Sequence, residues 1–206
     1  MSKFDNVSSL AQALVNSGVL KFGSFKLKSG AISPYYIDLA QLLSSPTIFK
    51  QVIEMIAEKA SEIMSLMKVD KLASVELKGA LILPSIACKL NLPCFVVRKE
   101  SKAYGVAGRI AGEEIKQGDQ ILFFDDVVSD AGSKIESIEP IELSGGRVCA
   151  VLVVVDREQG GKENLERRGY KLYSVATISD IIESLLDSQS ISEEQAQKVL
   201  EFVKKH

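Results

Sequence analysis

The chain has 206 residues, of which 46% are apolar and 25% charged, with a formal net charge of −2. That length suits one large domain or one domain with a small appendage, and the balance is ordinary for a soluble globular protein. The slight acidity gives no electrostatic case for nucleic-acid binding, no run of about 18 apolar residues is present to span a membrane, and the N-terminal MSKFDNVSSLAQ lacks a signal-peptide core.

Residues 7–17 read as a short amphipathic helix ending at Gly18. Residues 19–39 (VLKFGSFKLKSGAISPYYIDL) read as two short strands around a turn at Ser29-Gly30. A long helix follows over roughly 46–67, with Ser45 at its N-cap and Pro46 in its first turn. Strand 71–75 and helix 79–90 come next, the latter interrupted by Pro84, where a kink or a later start is expected. Strand 93–98 leads to a glycine-bearing polar loop over 99–118 with hairpin character. Strand 119–125, helix 132–143 and strand 147–155 succeed one another. A helix near 161–168, strand 171–176 and helices 178–187 and 191–205 close the chain.

Apolar strands alternating with helices argue an α/β fold with a mainly parallel central sheet covered on both faces. Ligands of such sheets bind beyond the carboxyl ends of the strands. Cys88, Cys94 and Cys149 match no zinc or redox spacing and lie in apolar stretches. They read as buried free thiols of a reducing cytoplasm. The single histidine is the last residue, His206, which sets aside Ser-His-Asp, Cys-His and histidine-rich metal chemistry.

ILFFDDVVSDAGSK (121–134) places Asp125 and Asp126 where an apolar strand is expected to stop. Two like charges near a core are costly and call for a cation or a hydroxyl-rich ligand. A loop through Ser129, Asp130, Ala131, Gly132 and Ser133 leads into a helix, whose free N–H groups and positive dipole end suit phosphate. Carboxylates for hydroxyls beside a phosphate cradle are the two halves of a phosphorylated-sugar site. The same residues also fit a helix-capping Asp130 beside two solvated loop acids. No G-x-x-x-x-G-K-[ST], and no G-x-G-x-x-G after a strand, competes for the phosphate.

The stretch resembles the phosphoribosyl-pyrophosphate motif of type I phosphoribosyltransferases: an apolar strand, two acids, two aliphatics and a short Thr/Ser/Gly loop. Asp130 stands where a small hydroxyl residue or Ala is usual, and Ala131 where Gly is common. If Ala131 takes φ > 0 its position is mildly strained. FKLKSGAISPYYIDL (25–39), VVRKESKAYG (96–105) and DREQGG (156–161) resemble, in order, three segments of orotate phosphoribosyltransferases. The resemblance covers nearly the whole chain, with Ala40 where an Arg is common.

It implies a hood over residues 1–40 packed on a core of 41–206, and transfer of 5-phosphoribosyl from phosphoribosyl pyrophosphate to orotate in pyrimidine (UMP) biosynthesis. Lys28 would reach the base, and Tyr35 and Tyr36 would shape its pocket; as residues alone, they are a solvated turn lysine and two core aromatics. Arg157, whose planar fork suits a carboxylate bidentately, would take that of orotate; its bland alternative is a surface ion pair. Arg98, Lys99 and Lys102, with Lys78, would stabilise the departing pyrophosphate, Lys102 chief among them, from a loop that closes as a lid. Tyr104 stands where the family loop often has His, and a phenol donates a hydrogen bond without bringing charge. Asp125 and Asp126 would hold the ribose hydroxyls, and 129–133 the 5′-phosphate. Mg²⁺ would bind mainly through substrate oxygens and water rather than protein ligands. The resemblance further implies a cytoplasmic homodimer with the lid reaching across. Since 206 residues accommodate only this domain, a fused decarboxylase is not expected, which leaves room for a separate orotidine 5′-phosphate decarboxylase as partner. Two rival readings are a phosphoribosyltransferase for another base and a non-catalytic nucleotide-sensing regulator of the same fold.

Overall fold

Five apolar strands alternate with helices, and a sixth returns beside them as a hairpin. The computed structural model describes residues 3–27, 30–102 and 108–205. Lys28, Tyr104 and His206 lie outside them, as do the side chains of residues 3, 4, 101 and 102.

Helix α1 (Lys3–Asn16) precedes an antiparallel hairpin of β1 (Leu20–Lys26) and β2 (Ile32–Ile37). A 3₁₀ turn over Leu39–Ser44, not foreseen from the sequence, follows; Asp38 caps it by accepting from the Ala40 N–H at 3.3 Å. Helix α2 (Pro46–Leu66) begins behind Ser45, whose side chain makes no capping bond. Its buried face of Val52, Ile53, Met55, Ile56, Ala57, Ala60 and Ile63 follows the 3.6-residue period. Each fully buried aliphatic there contributes roughly 1.5–3 kcal/mol.

The six-stranded sheet then forms. It comprises β3 (Lys71–Val75), β4 (Cys94–Lys102), β5 (Gly108–Gly112), β6 (Gln120–Val128), β7 (Arg147–Asp156) and β8 (Leu172–Thr177), in the order β5-β4-β3-β6-β7-β8. All neighbours are parallel except the edge strand β5, which runs antiparallel to β4. Helix α3 (Lys78–Leu90) packs with α1, α2, α6 (Ile178–Asp187) and α7 (Glu193–Lys204) in one apolar layer. Helix α4 (Gly132–Leu143) and Leu165 of α5 (Gly161–Glu166) cover the other face. Strand order reverses between β3 and β6, so the crevice beyond their carboxyl ends is the switch point where ligands bind in such sheets.

Four local expectations change. Strand β6 does not stop at Asp125: Val127 and Val128 go on pairing with Val155 and Asp156, because β-branched residues extend the ladder past the acids. Helix α3 runs through Pro84 without a later start. The region read as a loop from residue 99 is strand to Lys102, so Arg98 and Lys99 stand on β4. The cysteines are free but not buried. Cys88 is exposed on the outer face of α3, and Cys94 and Cys149 are half-buried at a strand start and a register shift.

Candidate active site

Residues following β3, β6 and β7 line the switch-point crevice. Lys78 opens α3 directly after β3 and pairs with Asp38 from the end of the hairpin at 3.0 Å. Burial opposes its charge, but the hydrogen bond and charge of Asp38 outweigh that and raise the ammonium above its ordinary pKa. Its Nζ also lies 5.8 Å from the Tyr36 ring centroid. Tyr36 is partly exposed and stacks on Phe25 at 5.6 Å. The crevice floor is close-packed because α3 carries glycine at its second position. A Cβ on Gly79 would fall 2.6 Å from Asp125 Oδ1 and closer still to Ser74 Oγ.

The two acids of β6 are not equivalent. Asp125 Oδ1 accepts from the backbone N–H of Asp126 at 2.9 Å, and Oδ2 lies 2.8 Å from the Nζ of Lys134 in α4. Asp126 has no ion pair among the described residues. Burial and the neighbouring Asp125 charge push its carboxyl up to about 6, with Lys134 and Lys78 pulling the other way.

Beyond β6 the chain turns into α4. Ala131 has φ 67° and ψ 3°, the left-handed conformation that its stretch made conditional. The Gly132 N–H donates to Asp130 Oδ1 at 3.1 Å, so Asp130 covers one of the free donors at the helix start. Ser129, Gly132 and Ser133 remain accessible around it. Asn164 Nδ2 donates to the Asp130 carbonyl at 2.8 Å and ties α5 to the loop.

Arg157 follows β7, and its backbone N–H donates to Val128 O at 2.9 Å. Its Nε donates to the Tyr35 hydroxyl at 3.0 Å and its guanidinium lies 4.7 Å from the Tyr35 ring centroid. Arg157 Nη2 is buried and has no hydrogen-bond partner among the described residues. An orphaned buried guanidinium N–H is costly and points to an acceptor from outside the chain. Tyr35 is fully buried, and burial, only partly offset by Arg157, raises its phenol pKa.

The crevice therefore brings together Lys78, Asp125, Asp126, the 129–133 loop, Tyr35, Tyr36 and Arg157. Lys99 is exposed on β4, where its N–H donates to Glu76 Oε2 at 3.2 Å; Arg98 is half-buried, and its carbonyl accepts from Arg109 Nε at 2.9 Å. Lys102 ends β4 by its backbone. Two contributors went unnoticed in the sequence, Asp38 and Lys134. Lys134 carries a signal: it stands with Ser137, Ile138 and Ile141 on the buried stripe of α4, a position that calls for an apolar residue.

No protein-family model matches the chain. The orotate phosphoribosyltransferase of Pyrococcus abyssi is 36% identical over 175 residues, covering 85% of this chain and 94% of that protein. The chain belongs to the orotate phosphoribosyltransferase family. Membership makes it a pentosyltransferase of pyrimidine biosynthesis. The crystal structure of orotate phosphoribosyltransferase from Aeropyrum pernix is 31% identical with a TM-score of 0.76, covering 85% of this chain and 97% of that one. Leishmania donovani UMP synthase is 33% identical with a TM-score of 0.86 over 97% of this chain, which spans only 42% of that longer protein. The β6–α4 turn and the start of the loop after β7 meet through the hydrogen bond from the Arg157 N–H to the Val128 carbonyl.

Proposed function

We propose that this crevice transfers the 5-phosphoribosyl group of phosphoribosyl pyrophosphate to a ring nitrogen of orotate, giving orotidine 5′-phosphate and pyrophosphate. The observation that carries the choice of base is the buried, unpartnered Nη2 of Arg157 beside the sugar grip. Orotate has a carboxylate to meet that N–H, and a purine has none. This favours orotate over the rival bases.

In this reading Tyr35 and Tyr36 shape the base pocket, with Lys28 reaching the base. Asp125 and Asp126 form the acidic side of the ribose site, and their charge favours an oxocarbenium-like sugar as the bond to pyrophosphate breaks. The turn over Ser129, Asp130, Ala131, Gly132 and Ser133 holds the 5′-phosphate. Lys78, Arg98, Lys99 and Lys102 neutralise the charge that builds on the departing pyrophosphate, with Tyr104 as a hydrogen-bond donor. The base nitrogen supplies the electron pair for the new C–N bond and pyrophosphate leaves with the electrons of the old C–O bond. No covalent enzyme intermediate is required.

Asp125 is engaged by Lys134, which leaves Asp126 as the one acid of the pair without an ion partner. Mg²⁺ would be held mainly by substrate oxygens and waters rather than by these carboxylates. When bound, Mg²⁺ screens the pyrophosphate charge. The protein acts in the cytoplasm as a homodimer whose lid serves the neighbouring site, and its product passes to an orotidine 5′-phosphate decarboxylase. No helix among the described residues is long and apolar enough to cross a membrane.

The test is an assay of the purified protein with orotate, phosphoribosyl pyrophosphate and Mg²⁺. Orotate absorbance should fall with stoichiometric release of pyrophosphate. Intact binding of both substrates without turnover would instead favour the nucleotide-sensing regulator. Lys102→Ala should lower turnover by orders of magnitude with a smaller effect on binding.

A further inference from the structure

Adjacent carboxylates at 125 and 126 repel each other, and both are nearly enclosed by protein, at 4% and 9% exposure. Two buried carboxylates left to themselves share protons, because the second ionisation is opposed by the first. The cation that resolves this is internal. Lys134 Nζ stands 2.8 Å from Asp125 Oδ2, with the two side chains only 10% and 5% exposed.

Nothing in helix stability explains that lysine. It lies in the first turn of α4, where a positive charge opposes the helix dipole. It occupies the buried stripe, where lysine is found only when paired. A buried ion pair is itself weak evidence of stabilisation, since desolvation offsets attraction. The position answers to Asp125, and through it to the site.

We propose that Lys134 is a positioning residue of the sugar site: its ammonium anchors the Asp125 side chain and offsets the repulsion between Asp125 and Asp126 where the ribose binds. This rests on the phosphoribosyl-transfer reading above. Geometry fixes the rest of the arrangement. The second Asp125 oxygen takes the Asp126 N–H, and Gly79 of α3 closes in behind it. The charged groups facing Asp126 are Asp125 on its own strand, Lys134 from α4 and Lys78 from α3. Asp125 favours the protonated form of Asp126, and the two ammoniums favour the carboxylate.

The measurement is the pH dependence of kcat/KM for phosphoribosyl pyrophosphate at saturating orotate and Mg²⁺, which reports groups of the free enzyme. Substrate ionisations are common to all variants and cancel in the comparison. Lys134→Met should move the acid limb upward by about one pH unit. Its loss of kcat/KM should be about threefold near pH 6.5, approach tenfold towards pH 5 and vanish as pH rises. A limb that coincides with wild type, with any loss uniform across pH, would make the pair merely structural and overturn the proposal. Should Lys134→Met fail to fold, Asp125→Asn and the double variant Asp125→Asn/Lys134→Met replace it. With Asn at 125 in both, the limb should lie about one unit higher where the ammonium is missing. Coincident limbs would overturn the proposal. Wild-type protein that does not turn over orotate at all defeats the functional reading instead, before any variant is compared.

Discussion

The Nε of Arg157 donates to the Tyr35 hydroxyl across 122 residues of sequence, joining the loop after β7 to the N-terminal hairpin at 3.0 Å. The phenol fixes the guanidinium plane, and the ring face beneath it adds a cation–π contact. Tyr35→Phe keeps the ring and removes the acceptor. A hydrogen bond to a charged group is worth about 1.5–3 kcal/mol. KM for orotate should therefore rise by about tenfold or more, with kcat and KM for phosphoribosyl pyrophosphate within a few-fold. Arg157→Lys, which loses the fork itself, should weaken orotate further. Steady-state kinetics in both substrates checks this, and equal losses for the two substrates would contradict it.

Asp126 is held at a cost to the fold. Burial and the Asp125 charge lift its carboxyl from 3.8 to about 6. In that window the folded protein binds more protons than the unfolded chain, so stability falls as pH rises from about 4 to about 6 and stays lower above. Asp126→Asn removes the penalty. The unliganded variant should melt higher than wild type at pH 7.5, by roughly 1–3 kcal/mol. The advantage should fade towards pH 4, and activity should fall by orders of magnitude. Thermal unfolding across pH decides it: a variant that melts lower at neutral pH would refute the assignment.

What the sequence revealed and what it hid follow from range. Alternation of strands and helices, the acidic pair before a small-residue turn and an arginine just after β7 are local patterns, readable over ten to fifteen residues. The left-handed Ala131 was legible because the loop demands a glycine-like backbone there. The partners of the charges were not. Asp125 meets Lys134 nine positions on, and Lys78 meets Asp38 forty positions back. Only the packing of α4 and of the hairpin against the crevice makes those pairs. Placing β6's end at Asp125 failed for a related reason. Two carboxylates look like a loop, but Val127 and Val128 find partners on β7 that the sequence of β6 does not mention. Cys88 was misread because an apolar run on α3 wraps past its buried face, and Cys88 with Leu81 falls on the outside.

Ala131 stores strain in the β6–α4 turn. A methyl-bearing residue at φ 67° costs more than glycine does, by about 1 kcal/mol. Glycine gives part of that back through its freer unfolded state. Ala131→Gly should therefore stabilise the protein by roughly 0.5 kcal/mol, read as a rise in Tm of about 1–2 °C. KM for phosphoribosyl pyrophosphate should stay within twofold, because the Gly132 N–H to Asp130 Oδ1 bond that sets the turn does not involve the side chain of residue 131. A drop in Tm would mean that the buried methyl of Ala131 packs for more than its strain costs.

Gly161 and Gly160 separate two reasons for glycine within one dipeptide. Gly160 has φ 81° and open space around its would-be Cβ, so an alanine there meets only backbone strain. Gly161 carries no such φ, yet its Cβ would fall 2.5 Å from the carbonyl oxygen of Ser129 and 2.6 Å from Val128 Cγ2. The first is backbone of the β6–α4 turn and cannot yield without moving the turn. Gly160→Ala should therefore cost about 1 kcal/mol of stability and leave KM for phosphoribosyl pyrophosphate within twofold. Gly161→Ala should raise that KM by about tenfold or more, because a displacement of about 1 Å in a positioning element is costly to function. Kinetics alongside thermal unfolding for both variants tests the distinction. If Gly160→Ala weakened the sugar substrate as much as Gly161→Ala, the close approach of α5 to Ser129 would not be what shapes the cradle.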